Sequence, residues 1–347
     1  MVTLITTSIA TLVSLVATRL VLRYARKRLV DPVTHRSSHR IAKPRGGGLG
    51  LVIGLLVAWV PMVVWYTEGV AAGTVAALAG AIVGMSALGW WDDHVNLPAR
   101  LRLPLQLALV ALVLYAIGLP DQVLLTGTWA LSPLGPLALA WWFIPVAILG
   151  GAWMVNLTNF MDGIDGIAAS QGAIGSVALA LLLPAEAVEL RLLLVACAAA
   201  CVGFLVWNRP PAKIFMGDVG STALGLVFAI GILGGIRHGI AVEHLLLPLA
   251  PFIADAGCTL LRRAWLREPI HQPHRTHLYQ RLAKQWKSHL PATGLFAGLA
   301  LVGTGLALAG ASGFIPPLAG TAVFAMIWTG LVLYGRRRCP VGQEQPT

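Results

Sequence analysis

The sequence predicts an all-α, polytopic integral membrane protein, and three observations carry that reading. Hydrophobic residues make up 57% of the chain and charged residues only 11%, with a mean hydropathy of +0.78. A soluble domain needs more polar surface than that to cover its apolar interior. The apolar runs reach the roughly 20 residues that a bilayer-spanning helix requires. All but Arg191 and Arg237 of the 25 Lys and Arg residues fall on one side if the spans alternate.

About eleven spans are expected (ten to eleven), near residues 3–22, 47–66, 71–91, 103–119, 138–155, 167–183, 190–207, 220–236, 244–261, 292–311 and 314–334. The first has no basic segment before it, the reverse of a cleavable signal peptide, so it is expected to be retained. Because Lys and Arg near span ends favour the cytoplasm, the N-terminus is placed outside and the C-terminus inside. A cytoplasmic loop over 262–291 and a short cytoplasmic tail over 336–347 complete a single domain of residues 1–347. Cys197, Cys201, Cys258 and Cys339 form no Cys-x-x-Cys pair and suggest neither a disulfide framework nor a zinc site. Helix packing accounts for Cys197 and Cys201, four residues apart.

The acids are placed more informatively than the bases. Asp92, Asp93, Asp162, Asp165 and Asp218 come from three loops and fall on the predicted cytoplasmic face, at or just beyond span ends. Glu68, Asp121, Glu186, Glu189 and Glu243 are scattered singly on the other face and read as solvated surface.

The densest polar stretch is Asn156-Leu-Thr-Asn159-Phe-Met-Asp162-Gly-Ile-Asp165-Gly. Its polar residues recur every three positions, and each such step slips about 60° around a helix, so they cannot share one narrow face. Gly163 and Gly166 let the chain leave helical geometry, which predicts a helix end carrying the Asn pair and a re-entrant turn carrying the Asp pair. A plain capping turn between spans explains one Asn and one Asp, but not all four.

Trp91-Asp92-Asp93-His94 ends the third span. Adjacent carboxylates repel unless a cation or proton lies near, which points to metal-assisted or general-base work, against the blander reading of a solvated helix end. Arg100 and Arg102 follow as counter-charges or as anchors for lipid phosphate. In Phe215-Met-Gly217-Asp218-Val-Gly220-Ser221 the glycines permit close backbone approach, and Ser221 is expected to cap a helix whose first N–H groups favour anions.

His271-Gln-Pro-His274-Arg275-Thr-His277 in the last long loop combines imidazole and guanidinium groups that suit a phosphate or diphosphate. A basic loop holding anionic lipid head groups is the plainer account. A metal role for the three histidines is disfavoured, because Pro273 breaks helical geometry and the acids already offer oxygen ligands. Upstream, His35-Arg36-Ser-Ser-His39-Arg40 leads to Lys43-Pro44-Arg45 and three glycines, Gly46, Gly47 and Gly48, at a span entrance. Asp255 is the one acid inside an apolar run, an expected functional group with helix pairing as the alternative.

Together, the Asp92-Asp93 pair with its following Leu-Pro and Arg-Leu, the Asn-x-x-Asn-x-x-Asp-Gly-x-Asp-Gly run, Phe-x-Gly-Asp-x-Gly-Ser and the His-bearing loop resemble the polyprenyl-phosphate N-acetylhexosamine-1-phosphate transferases of glycosyltransferase family 4. The resemblance covers nearly the whole chain, with the motifs in the family's order. It implies an enzyme of the bacterial inner membrane that transfers a sugar 1-phosphate from a UDP-N-acetylhexosamine to undecaprenyl phosphate and releases UMP. It implies Asp218 as the ligand of Mg²⁺, with Mn²⁺ as an alternative ion. Asp92 would be the base or phosphate-activating acid with Asp93 beside it, and Asp162 and Asp165 would belong to the catalytic centre. Lys43, Asn156, Asn159, His274, Arg275 and His277 would bind substrate. Partners are then the nucleotide sugar, the lipid phosphate and membrane lipids, with no nucleic acid and with homodimer formation left open.

One departure separates branches of the family. After His277 the chain has Leu278-Tyr279-Gln280, whereas the phospho-N-acetylmuramoyl-pentapeptide transferases of peptidoglycan synthesis carry a contiguous His triplet. The pattern looks like the branch that begins O-antigen or other surface polysaccharide synthesis with UDP-N-acetylglucosamine or a 6-deoxy analogue. Direct attack of the lipid phosphate on the β-phosphorus is the expected mechanism, with displacement through an aspartyl phosphate as its rival. A transporter is the alternative from another class, although its site would be expected near the midplane rather than at one face. A non-catalytic scaffold would tolerate Asp162→Asn and Asp218→Asn.

Overall fold

The computed structural model describes residues 1–31, 42–66, 72–125, 129–130, 136–269, 274–316 and 318–338. His35, Arg36, His39, Arg40, Glu68, His271, Pro273 and the tail beyond residue 338 lie outside them. The helices are α1 (Val2–Arg28), α2 (Gly48–Tyr66), α3 (Ala72–Val95), α4 (Ala99–Ile117), α5 (Pro136–Met161), α6 (Ile167–Leu182) and α7 (Val188–Asn208). They continue with α8 (Asp218–Arg237), α9 (Val242–Leu246), α10 (Ala250–Trp265), α11 (Leu278–Gln285), α12 (His289–Ala311) and α13 (Ala319–Arg338). Two short antiparallel ladders, β1 (Val30–Asp31) with β2 (Lys43–Pro44) and β3 (Leu124–Leu125) with β4 (Trp129–Ala130), are the strands among the described residues.

Each of the predicted apolar runs lies largely in helix, since in lipid a helix satisfies its backbone groups within one segment. Nine stretches among the described residues are long and apolar enough to cross a membrane, fewer than the eleven expected. The two that fall short are α6, with 16 residues, and α13, whose last turn carries Arg336, Arg337 and Arg338. The run expected at 244–261 is interrupted: α9 passes through a 3-10 turn, Leu247–Leu249, into α10. Pro248 and Pro251 remove two backbone donors at that break.

Within the bilayer, helices associate through close packing and interhelical hydrogen bonds. Thr6, Ala10, Ser14 and Thr18 form a buried small-residue stripe along α1. It meets Gly50 and Gly54 of α2, where an added methyl group would overlap Thr18 and come within 2.7 Å of Ser14 Cβ, respectively. Against α7, Ser14 donates to the Ala200 carbonyl at 2.7 Å and Thr11 to the Ala199 carbonyl at 3.1 Å.

The centre of the bundle is α8, buried over 94% of its apolar length and packed against α2, α3, α4, α5, α6 and α7. Its N-terminus is wedged between backbones. A methyl group on Gly220 would lie 2.5 Å from Gly48 Cα, and one on Gly89 of α3 would overlap the Asp218 carbonyl. Residues 44–48 lie beside the segment entering α8 through Phe215 N–H to Pro44 O (2.8 Å), Gly47 N–H to Phe215 O (2.9 Å) and Gly48 N–H to Met216 O (2.8 Å). The consecutive glycines of the second-span entrance therefore serve close backbone approach. Exposed aromatic residues sit at both ends of the bundle, Tyr24, Trp91 and Trp265 near the ends of α1, α3 and α10, and Trp65, Tyr66, Tyr115 and Phe314 at the opposite ends. Their amphipathic rings suit the two membrane interfaces.

Candidate active site

The site begins with the end of α3. Asp93 accepts the Asp218 N–H on Oδ1 and the Val219 N–H on Oδ2, both at 3.1 Å, and so caps α8 from another helix. Gly217, at φ +75°, turns the chain into that cap, and a side chain there would run into Asp93 Oδ2. Ser221, expected to cap α8, does not. Its hydroxyl donates back to the Gly217 carbonyl at 3.1 Å and accepts from Asn159 Nδ2 at 3.0 Å, because Asp93 already occupies the first amides. Arg45 donates to the Asp93 carbonyl and stands 3.8 Å from its carboxylate.

Asp92 points to the other side of the α3 end. It accepts the Leu97 N–H at 2.6 Å and pairs with the Arg102 guanidinium of α4. Arg102 Nη1 also lies 3.8 Å from Asp218 Oδ2, so one cation bridges two carboxylates. Asp92 and Asp93 keep 5% and 2% of their side chains open, against 30% for Asp218, which makes Asp218 the accessible acid of the three.

Asn159 Nδ2 donates to Asp218 Oδ1 at 2.8 Å. Asn156, one step round the helix, turns away: its Nδ2 donates to Gln106 Oε1 of α4 at 2.8 Å and to the Ala152 carbonyl. The two amides thus take different faces, as their spacing requires, and only Asn159 joins the acids. α5 ends at Met161, and residues 162–166 turn into α6 with Gly166 at φ +79°.

That turn carries two carboxylates of opposite character. Burial, and then the negative charges of Asp218, Asp93 and Asp165, push the Asp162 carboxyl well above its ordinary value. Burial would also raise Asp165, but the nearby His289 imidazole, the Ala212 N–H and the charge of Lys43 outweigh it and hold it below. Lys43 Nζ lies 3.3 Å from Oδ2, which also accepts the Ala212 N–H at 2.8 Å. His289 Nδ1 stands 3.3 Å from Oδ1, and Thr293 Oγ1 donates to the Asp165 carbonyl at 2.8 Å. Lys43 Nζ also lies 5.3 Å from the Phe215 ring centre. Sequence reasoning missed His289: it is a lone histidine at the start of a span, and nothing in its neighbourhood marks it.

The loop after α10 approaches the same turn. His277 is buried between the rings of His274 (4.9 Å) and Tyr279 (5.7 Å), with Nδ1 3.5 Å from Asp255 Oδ1. Asp255 accepts the Leu278 and Tyr279 N–H groups at 2.8 and 2.9 Å, so the acid inside the apolar run caps α11. Burial, and then the charges of His277 and Arg263, press His274 down to about 4, leaving it neutral at pH 7. Arg275 is partly buried in the same loop.

No three His, Cys, Asp or Glu side chains form a ready metal cage among the described residues. The available donors are hard oxygens, Asp218 above all with the Asn159 amide beside it. They fit a cation held by one or two carboxylates and completed by phosphate oxygens and water, the mode that suits Mg²⁺.

Residues 75–235 match the sequence model of glycosyl transferase family 4, a stretch that contains Asp92, Asp93, Asn156, Asn159, Asp162, Asp165 and Asp218. The chain is 32% identical over 291 residues to a probable undecaprenyl-phosphate N-acetylglucosaminyl 1-phosphate transferase of Bacillus subtilis, covering 81% of this chain and 77% of the relative. It is 37% identical over 216 residues to a phospho-N-acetylmuramoyl-pentapeptide-transferase of Thermosynechococcus vestitus, covering 58% of this chain and 53% of that relative. A Chlamydia pneumoniae protein with the same description is 29% identical over 284 residues, 72% of this chain and 77% of the relative. With acids from α3, the turn between α5 and α6, and α8 gathered at one end of a membrane bundle, and with this match along the chain, the protein belongs to glycosyl transferase family 4 and is a membrane phosphotransferase.

Proposed function

We propose that the protein transfers N-acetylhexosamine 1-phosphate from a UDP-sugar to undecaprenyl phosphate at the cytoplasmic face of a bacterial inner membrane. The product, a polyprenyl-diphosphate sugar, would begin O-antigen or another cell-envelope polysaccharide. The observation that carries this reading is the accessible Asp218, bonded to Asn159, adjoining Arg102 and fixed through its own N–H by Asp93. Groups from α3, α4, α5 and α8 thus converge on one carboxylate where a lipid head group would enter.

In the proposed reaction an oxygen of the lipid phosphate attacks the β-phosphorus of the nucleotide sugar. The bond from that phosphorus to the bridging oxygen breaks, and UMP leaves with the electron pair. Two phosphate anions must approach each other, and Arg102 and Lys43 offset part of that repulsion. Mg²⁺, or Mn²⁺ in its place, supplies further positive charge on the diphosphate when bound. Asp92 holds Arg102 beside Asp218, while Asp165 holds Lys43 at the other end of the site.

The test is a panel of UDP-sugars offered to purified protein with Mg²⁺ and undecaprenyl phosphate, with UMP release as the readout. Release with an N-acetylhexosamine donor supports the proposal, and no release with any of them sinks it. UDP-N-acetylmuramoyl-pentapeptide belongs in the panel, because several relatives are described as transferases of that group. Activity restricted to that donor would move the protein to the peptidoglycan branch. A phosphorylated Asp92 trapped without lipid acceptor would replace direct attack by a double displacement.

A further inference from the structure

Tyr279 stands two positions after His277, yet it does not face the open site. Its side chain is fully buried. Its hydroxyl donates to the Phe160 carbonyl at 3.0 Å, across 119 residues of sequence. The Gly163 backbone and the Gln280 side chain lie close beside the same oxygen. Phe160 is the penultimate residue of α5, where a helix leaves its last carbonyls without intrahelical donors. Residues 160–163 therefore wrap the hydroxyl, and Asp162 lies inside that wrap.

Gly163 makes the approach possible. Its φ is not positive, so its value is space: a methyl group there would overlap the Tyr279 hydroxyl and sit 3.0 Å from Gln280 Nε2. The tyrosine is in turn presented by α11, whose first amides are held by Asp255 of α10.

We infer that Tyr279 is a positioning residue, whose hydroxyl caps the end of α5 and sets the place of Asp162. The inference rests on the proposed transfer reaction for its catalytic consequence, while the contact itself can be tested without it. Ring packing is a separate matter. Tyr279 also stacks on His277 and meets Phe296 edge-on at 6.2 Å, contacts that phenylalanine would keep.

The experiment compares wild type, Tyr279→Phe, Gly163→Ala and the double variant, each purified in detergent. In UMP release with undecaprenyl phosphate and the preferred UDP-sugar, Tyr279→Phe is expected to lower kcat by about tenfold or more, with both KM values within about twofold. Gly163→Ala is expected to be worse alone than in the Tyr279→Phe background, where the oxygen it would strike is gone. Wild-type kcat in Tyr279→Phe would overturn the positioning role. Melting temperatures of the same four proteins report the contact whatever the reaction proves to be. Coupling, with the Gly163→Ala loss reduced in the double variant, supports the contact, and strict additivity overturns it. A wild type that is inactive with every donor would count against the proposed reaction, with the melting cycle still deciding the contact.

Discussion

The Asp93 carboxylate receives the backbone N–H of Asp218 at 3.1 Å, so the second acid of the pair acts on the accessible acid through the peptide chain. Asp93 thereby orients the first turn of α8, while Asp92 next to it holds a cation. Adjacent residues in sequence carry different physical tasks.

Asp93→Ala removes the acceptor for two amides and leaves Arg45 without its carboxylate. A lost helix cap costs about 0.5–2 kcal/mol. The melting temperature is therefore expected to fall and UMP release with it, while Asp93→Asn, which keeps one acceptor oxygen, retains more of both. Equal behaviour of the two variants would contradict the cap.

Arg102→Gln strips the cation that joins Asp92 to Asp218 and leaves two carboxylates facing each other. We expect kcat to fall by at least about tenfold, a loss of about 1.4 kcal/mol in the barrier. Arg102→Lys keeps the charge but not the planar fork, and should fall between the two in a kinetic assay.

Asp165 and His274 shape stability against pH in separate windows. The Asp165 carboxyl lies below its ordinary 3.8, so its contribution is complete above that value and is lost as pH falls through the folded one. His274, at about 4 against an ordinary 6.5, binds its proton later than the unfolded chain does, so stability drops as pH falls between those values. Melting curves from pH 8 to 3 should flatten between 6.5 and 4 in His274→Gln. His289→Ala should lower the melting temperature at neutral pH, since the Asp165 N–H loses its acceptor, His289 Nδ1 at 3.2 Å, and a net hydrogen bond is worth about 0.5–1.5 kcal/mol.

Gly48→Ala and Gly220→Ala each place a methyl group into the facing backbone where α2 meets α8. Both are expected to reduce the yield of folded protein or its melting temperature. Gly73→Ala and Gly150→Ala, whose added carbon would meet nothing within 4 Å, serve as the neutral comparison in the same thermal assay.

Much of this was legible in the sequence, for a physical reason. Long apolar runs have one satisfactory backbone form in lipid, so each predicted span lies largely in helix. Two amides and two carboxylates on a three-residue period forced the helix end and the turn, and the structure has Asn159 and Asp165 engaged there and Asn156 turned to Gln106. What escaped was contact between distant segments. Asp93 as the cap of α8, Asp255 as the cap of α11 and His289 beside Asp165 each join residues through folding, and no local pattern records such a partner. The short α6 and the basic last turn of α13 also reduce the count of full spans, since an apolar run in the sequence does not fix how long the helix built from it will be.

Asp165 is held by Lys43, 122 residues before it, and by His289, 124 residues after it. During synthesis, therefore, the acid emerges with its first partner already in the membrane and waits for the second until α12 has been made. A ribosome-bound chain that has inserted only through α8 holds every acid of the cluster yet lacks the clasp on the turn. The geometry of the site is thus a late event of membrane insertion, and a chain interrupted before α12 would lack one of the two partners that hold the Asp165 turn.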